Sequence, residues 1–242
     1  MRPLILRPHP QAEALASQLR RAGHDPVVRP LLEVIPGREL SDLPEHLAHH
    51  PWLIAISAAA VEQAQRWLQS HQLNWPPTPT FAVGQATAEA WLQAGRTARY
   101  PDDARSEGIL ALPEMTLVAG QRVLILRGDG GREWLAEQLR ARGARVTYCE
   151  CYQRHWLPLD GQQLCSQWRT AGVDSVIISS GELLRRLLSL LPEQQRDWWQ
   201  QWRFIVPSHR VAELVLDAGL PAPTIATGAS HSAFCQALGH EE

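Results

Sequence analysis

The chain has 242 residues, of which 45% are hydrophobic and 20% are charged, and its formal net charge is −2. This composition is typical of a globular protein, and the absence of a basic surplus argues against a nucleic-acid-binding surface. All 23 basic residues are arginine. Chemistry that needs a lysine Schiff base or the lysine of a P-loop is therefore excluded.

The amino-terminal segment MRPLILRPHP contains an apolar run that prolines interrupt. This run is far shorter than a membrane helix or the core of a signal peptide. The four cysteines, two of them in a C-x-C pair, match neither a disulfide framework nor a zinc site. We therefore expect a cytoplasmic protein that binds no membrane and no zinc. We also expect a monomer.

Short apolar runs alternate with stretches of helical periodicity along the chain. Each run ends in small or polar residues, and the stretches between the runs place apolar residues at three- and four-residue spacing. Alternating strands and helices indicate parallel sheets, so the predicted fold class is α/β. The predicted strands are Leu4–Leu6, Trp52–Ile56, Thr80–Val83, Val123–Leu126, Ser175–Ile178 and Phe204–Val206.

An internal repeat relates the start of the chain to its middle. Residues 4–23 align without a gap with residues 124–143, and eleven of the twenty positions are identical. The identical positions include Arg7 with Arg127, and Glu13 with Glu133. Either a βα unit favours these residue types anyway, or each of two similar lobes contains one copy.

In both copies a glycine ends the predicted helix, and an extended segment follows. We interpret these segments, residues 26–36 and 145–156, as two crossings that form a two-stranded β-ladder hinge between lobes. The first lobe would then comprise residues 1–35 and 157–242, and the second residues 37–145. Each lobe would be a parallel sheet flanked by helices. A hinge of this kind leaves a cleft, which is a common ligand location.

The segment VLILRGDGGREWL has the pattern of a strand, a glycine loop and the first turn of a helix, which together form an anion site. Arg127 precedes the loop, Gly128 begins it and Arg132 lies within it, so it suits a carboxylate as well as a phosphate. A dinucleotide loop would need a third glycine where Glu133 stands, although Glu150 lies where a ribose-binding acid would be. A tight turn with solvated arginines is the simpler alternative.

The other predicted strand ends place hydroxyl and glycine residues close to the start of a helix. Each hydroxyl could simply cap its helix, with free backbone N–H groups beyond it. Together, these ends would line a cleft with neutral hydrogen-bond donors, which suits a ligand with many carboxylates. The residues are Ser57, Gly84, Gln85, Thr87, Ser179, Ser180, Gly181, Ser208 and His209.

In their order and spacing, these segments resemble the uroporphyrinogen-III synthase family of tetrapyrrole biosynthesis. The resemblance covers nearly the whole chain, and one departure from the family pattern is the small-residue run Ala58–Ala60 after Ser57. It implies two α/β lobes joined by a two-stranded ladder. The segments that carry it are LILRP, ISAAAVEQA, FAVGQATAEAW, SEGIL, LILRGDGGREWLAEQLRARGARV, the tyrosine of CECYQR, IISSGELL and IVPSHRVAE.

The resemblance implies a lyase that closes hydroxymethylbilane, a linear tetrapyrrole with eight carboxylates, to uroporphyrinogen III. Ring D is inverted through a spiro intermediate and water is lost, without metal or cofactor. It further implies that Tyr152 is the acid for the departing hydroxyl. The hydroxyl and glycine residues named above would bind the substrate, with charge from Arg7, Arg127 and Arg132 and a contribution from Gly128.

Strand alternation would place Tyr148, Glu150 and Tyr152 on one face of their strand, with Cys149 and Cys151 on the other. From the residues alone, a tyrosine at position 152 is more often a packing residue. Two other classes also stay open on the residues alone. One is a two-lobed protein that binds a small anion without catalysis, and the other is a nucleotide-dependent enzyme.

Overall fold

The computed structural model describes residues 1–49 and 52–239 and divides into two compact units. Unit 1 comprises Met1–Glu33 and His155–Glu242, and unit 2 comprises Val34–Arg154. Within the described residues, no helix is both long enough and apolar enough to cross a bilayer.

Strands and helices alternate through both units, as the apolar runs predict. The strands are β1 (Pro3–Ile5), β2 (Val27–Val28), β3 (Leu32–Pro36), β4 (Trp52–Ala55), β5 (Thr80–Ala82), β6 (Arg122–Gly128), β7 (Arg145–Trp156), β8 (Ser175–Ile177), β9 (Arg203–Val206) and β10 (Thr224–Ile225). The helices are α1 (Gln11–Arg21), α2 (Leu43–His49), α3 (Ala58–Ser70), α4 (Gln85–Gln93), α5 (Ser106–Ala111), α6 (Trp134–Ala141), α7 (Gly161–Thr170), α8 (Gly181–Leu190), α9 (Arg196–Trp199), α10 (His209–Asp217) and α11 (His231–Gly239). Short 3₁₀ turns lie at Arg38–Asp42, Pro113–Thr116 and Glu193–Gln195.

Two five-stranded sheets organise the chain. One has the order β10-β9-β8-β1-β2 and the other the order β3-β7-β6-β4-β5. All four pairings of the first sheet are parallel, and so are those that join β7, β6, β4 and β5 in the second. The predicted α/β class and all six predicted strands are confirmed, with ends that differ by one or two residues. The short strand β10 was not predicted.

Successive residues of a strand point to opposite faces of its sheet, and neighbouring strand residues are buried in both sheets. In unit 2, Leu53 and Leu124 pack with α3 and α4, whereas Ile54 and Ile125 pack with α5 and α6. In unit 1, Ile5 packs with α1 and α11. These buried strands hold the sheet edges, where the candidate site residues lie, in fixed positions.

The two copies of the internal repeat form equivalent elements. The first copy is β1 with α1, and the second is β6 with α6. Each helix is followed by a glycine with positive φ, Gly23 at +83° and Gly143 at +87°. This left-handed conformation favours glycine and explains why both copies have one there.

Candidate active site

The carboxyl edge of the unit 2 sheet brings three predicted site residues to one level. Ala55 of β4 pairs with Ala82 of β5 and with Leu126 of β6. Two residues beyond these paired positions stand Ser57, Gly84 and Gly128. In parallel α/β sheets, ligands bind at this edge.

A β-bulge in β7 sets the direction of Tyr152. Arg127 on β6 pairs with Glu150, but the next residue, Gly128, pairs with Tyr152, so Cys151 is an extra residue in β7. An extra residue shifts the alternation of side chains along a strand by one position. Tyr152 therefore turns to the opposite face of β7 from Glu150.

The predicted alternation is therefore wrong at Tyr152. Tyr148 packs against the apolar cluster on one face of the sheet. Tyr152 packs against the cluster on the other face, which contains the buried Cys149 and Cys151. A bulge arises from the pairing of two strands, and the sequence of β7 alone carries no sign of it.

The phenol of Tyr152 is held between a glycine and a serine. Its ring lies against Gly128, where a Cβ atom would be 2.4 Å from Cζ of the ring. Ser57 Oγ donates a long hydrogen bond of 3.4 Å to Tyr152 Oη and accepts the N–H of Ala60 at 3.3 Å, which caps α3. A phenol hydroxyl is itself a hydrogen-bond donor, and among the described residues the long contact with Ser57 is the one hydrogen bond of Tyr152 Oη.

Arg127 is held by two carboxylates of its own unit. Nη1 donates to Glu133 Oε1 at 2.7 Å, and Nη2 donates to Glu150 Oε1 at 3.0 Å. The guanidinium also lies 3.8 Å from the ring centre of Tyr148. Burial alone lowers the pKa of Arg127, but the hydrogen bonds to the two carboxylates raise it above its ordinary value. This side chain is 9% exposed, and its charge is neutralised locally.

Glu150 also fixes the glycine loop. Gly130 N–H donates to Glu150 Oε1 at 3.3 Å, and Gly130 and Gly131 have φ of +71° and +127°, where glycine is favoured. Glu150 therefore holds the loop, and the nucleotide alternative loses its ribose-binding acid. Arg132 is exposed on the loop, with Nη2 at 3.4 Å from Glu107 Oε1.

At the end of β5, Gly84 stands at the N-cap of α4. A Cβ on Gly84 would lie 2.7 Å from Cβ of Ala104, so this close approach requires the glycine. Thr87 in the first turn is buried. Gln85 is exposed, and its Nε2 donates to Glu89 Oε1 at 2.9 Å.

The carboxyl edge of the unit 1 sheet holds the other predicted residues. Strand β8 lies between β1 and β9, with Ile177 opposite both Ile5 and Ile205. The chain continues past these paired positions into loops that reach the same edge. The predicted residues in these loops are Arg7, Ser179, Ser180, Gly181, Ser208 and His209.

The two serines of this edge differ in their bonding. Ser180 Oγ accepts the N–H of Leu183 at 3.2 Å and caps α8, as predicted. Ser208 occupies the N-cap position of α10, but its side chain accepts none of the first N–H groups of that helix. His209 next to it is exposed, whereas Gly181 is buried at the start of α8.

Arg7 lies beside the start of α11. Its Nη2 donates to the carbonyl oxygen of Ala229 at 2.5 Å, and its guanidinium carbon lies 5.0 Å from the ring centre of Phe234. Burial lowers the pKa of Arg7 to about 10. Burial and the charge of Arg7 also lower the pKa of His231.

Sequence reasoning missed the partners of both strand-end arginines. Glu133 and Glu150 neutralise Arg127, and Ala229 accepts the hydrogen bond of Arg7. The equal spacing of arginine and glutamate in the two repeats was a usable signal for Glu133. Ala229 has no such signal. In residues 1–49 and 52–239, no three His, Cys, Asp or Glu side chains are grouped to hold a metal.

A family model described as uroporphyrinogen-III synthase HemD matches residues 13–236. The chain belongs to the uroporphyrinogen-III synthase family. The uroporphyrinogen-III synthases of Salmonella typhimurium and Escherichia coli are 43% and 40% identical to it over 242 aligned positions. Each alignment covers 97% of this chain and 98% of the relative. The family resemblance inferred from the motifs is confirmed.

Solved structures support the fold. A mutant uroporphyrinogen III synthase from Thermus thermophilus matches with a TM-score of 0.60, 16% identity and coverage of 100% of both chains. The uroporphyrinogen-III synthetase of Helicobacter pylori matches with a TM-score of 0.61, 18% identity and coverage of 98% of both chains. These structures share the two-unit α/β architecture with this chain.

Proposed function

We propose that this protein is a uroporphyrinogen-III synthase, which closes hydroxymethylbilane to uroporphyrinogen III and releases water. Whole-length identity of 43% and 40% to two such synthases supports the activity. The observation that carries the mechanism is the phenol of Tyr152. It stands at the carboxyl edge of the unit 2 sheet, where Ser57 Oγ lies 3.4 Å from its oxygen, and a phenol can donate its proton to a substrate group there.

Tyr152 donates its proton to the hydroxyl of the terminal hydroxymethyl group as the carbon–oxygen bond breaks, so that water leaves. The electrons of the pyrrole nitrogen stabilise the resulting methylene-pyrrole cation. The substituted carbon of ring D attacks this methylene carbon and forms the spiro intermediate. The bond between that carbon of ring D and the methylene of ring C then breaks, and the released methylene carbon bonds to the unsubstituted α-carbon of ring D, so the ring closes with ring D inverted. Loss of the proton from that α-carbon restores the pyrrole and balances the proton that Tyr152 donated.

The linear substrate also closes without help, but then ring D is not inverted. The main task of the protein is therefore to hold the substrate so that the substituted carbon of ring D is attacked first. Backbone N–H groups and hydroxyls at the two carboxyl edges bind the substrate carboxylates. The proposed binding residues are Arg7, Ser57, Gly84, Gln85, Thr87, Gly128, Arg132, Ser179, Ser180, Gly181, Ser208 and His209, with Arg127 acting through the loop that it holds.

Product analysis tests the proposal. The purified protein is incubated with hydroxymethylbilane, the products are oxidised, and the porphyrin isomers are separated by chromatography. A synthase yields isomer III, whereas a protein that only binds anions leaves the product as isomer I.

The proposal includes a monomeric, cytoplasmic protein that needs no metal or cofactor. Gel filtration tests the monomer by its elution volume, and fractionation of the source cells tests the compartment. Isomer III formation after dialysis against a chelator tests the independence from metal, because a metal-dependent enzyme would lose activity.

A further inference from the structure

Two arginines occupy equivalent positions in the internal repeat but have different surroundings. Arg127 follows β6 and donates to two carboxylates, at 2.7 and 3.0 Å. Arg7 follows β1 and donates to one backbone carbonyl, that of Ala229. Among the described residues, no carboxylate lies within ion-pair distance of Arg7.

The positions of the first copy that correspond to Glu133 and Glu150 explain why Arg7 has no carboxylate partner. Glu13 corresponds to Glu133, but it lies 3.7 Å from Nδ1 of His9 and is 54% exposed. The strand pairing has the same register in both sheets, since Ile5 pairs with Val28 and Ile125 with Tyr148. The shift of 120 residues that relates these pairs places Pro30 at the position of Glu150. Glu13 therefore lies beside His9 and not beside Arg7, and the first copy has no glutamate at the position of Glu150.

The surroundings of Arg7 leave its charge uncompensated. Burial lowers the pKa of Arg7 to about 10, which still leaves it charged at neutral pH. Burial and the charge of Arg7 lower the pKa of His231, and a histidine supplies no negative charge. The face of the Phe234 ring fixes the guanidinium from one side. A partly buried cation without an anion is unfavourable, and an anionic ligand would remove that cost.

We propose that Arg7 binds a carboxylate of the ligand in unit 1, whereas its repeat counterpart Arg127 supports its own loop. This inference rests on the proposed function, because it assigns one carboxylate of the substrate to one residue. Arg7 lies two residues beyond Ile5, and Ser179 lies two residues beyond Ile177, with which Ile5 pairs. Arg7 thus lies at the carboxyl edge of the unit 1 sheet, as do the hydroxyl residues Ser179 and Ser180.

The test compares Arg7→Gln with Arg20→Gln, which removes the same charge from an exposed position of α1. The KM for hydroxymethylbilane is measured, together with the Kd for uroporphyrin III, the oxidised octacarboxylate, from tryptophan fluorescence. Arg7→Gln raises both constants about tenfold, the effect of losing one hydrogen bond to a charged group. Arg20→Gln leaves both unchanged. Equal constants for Arg7→Gln and wild type would overturn the inference.

Two further variants separate binding from folding. Arg127→Gln leaves two carboxylates without their cation and lowers Tm by about 5 °C. Arg7→Gln lowers Tm less than Arg127→Gln does, since it loses a hydrogen bond to one backbone carbonyl and leaves no carboxylate without its cation. Arg7→Lys, which keeps the charge, raises Kd less than Arg7→Gln does. If Arg7→Gln lowered Tm as much as Arg127→Gln and left Kd unchanged, Arg7 would have a structural role and no role in binding. Absence of isomer III with the wild type would instead refute the proposed function.

Discussion

The ring of Tyr152 lies so close to Gly128 that a Cβ atom on Gly128 would be 2.4 Å from Cζ and 2.6 Å from Cε2. Gly128 is not among the glycines with positive φ, so the ring and not the backbone conformation requires a glycine there. The residue that begins the glycine loop thereby also sets the position of the proposed catalytic acid.

Gly128→Ala therefore displaces the ring of Tyr152. We expect kcat to fall at least tenfold and the free energy of unfolding to fall by about 1–3 kcal/mol, the usual cost of overpacking. In a Tyr152→Ala background the same glycine substitution costs little stability, because the ring is absent. The measurement is thermal unfolding of both single variants and the double variant. Additive losses would contradict the steric account.

Tyr152→Phe removes the proton donor and keeps the ring. We expect kcat to fall about 10- to 100-fold, at or below the low end of general-acid effects, because the pyrrole nitrogen helps to expel the hydroxyl. KM should change little, since the proton is transferred as the transition state forms. Tyr148→Phe, on the opposite face of β7, serves as the control and keeps its kcat. If Tyr152→Phe equals wild type while Thr87→Ala is inactive, the acid role is wrong.

Local patterns in the sequence predicted local structure well. The apolar runs predicted six strands of the two sheets, and Ser57 and Ser180 cap helices as the strand–loop–helix pattern suggests. Each of these features depends on residues within a few positions of one another, so a single stretch of sequence contains the whole interaction.

Contacts between residues far apart in the chain could not be predicted from the sequence. The face of Tyr152 was predicted wrongly because the bulge in β7 is set by its pairing with β6. Arg127 was assigned to the substrate by its position next to a glycine loop, but one of its carboxylates lies 23 residues away. The repeat gives Arg7 and Arg127 the same preceding residues, Leu-Ile-Leu, but only the strand pairing shows that Pro30 stands where Glu150 does in the other copy.

The two serines of the unit 1 edge should respond differently to truncation. Ser180→Ala removes the cap of α8 and lowers the free energy of unfolding by about 1 kcal/mol. Ser208→Ala leaves stability unchanged, because its hydroxyl caps no N–H of α10. Both substitutions alter KM only modestly, since backbone amides share the binding. Chemical denaturation of the two variants checks the stabilities, and equal losses would contradict the assignment.

Glu133 makes the stability of unit 2 depend on pH. The hydrogen bond from Arg127 lowers the pKa of Glu133, so its stabilising contribution is present above the ordinary glutamate pKa and is lost as the pH falls through the folded value. Its side chain is 47% exposed, so solvent keeps the contribution small. We expect Glu133→Gln to melt below wild type at pH 7 and to converge with it below about pH 4. A Tm difference that persists at low pH would contradict this.

The most direct test of the whole account is the fraction of isomer III as a function of protein concentration at a fixed hydroxymethylbilane concentration. The rate of spontaneous closure to isomer I does not depend on the protein concentration, so the two routes compete in every sample. The account predicts that the fraction of isomer III rises with wild-type protein until isomer III is nearly the only product, and that Tyr152→Phe requires more protein to reach the same fraction. A product that stays isomer I at every concentration of wild-type protein would contradict it.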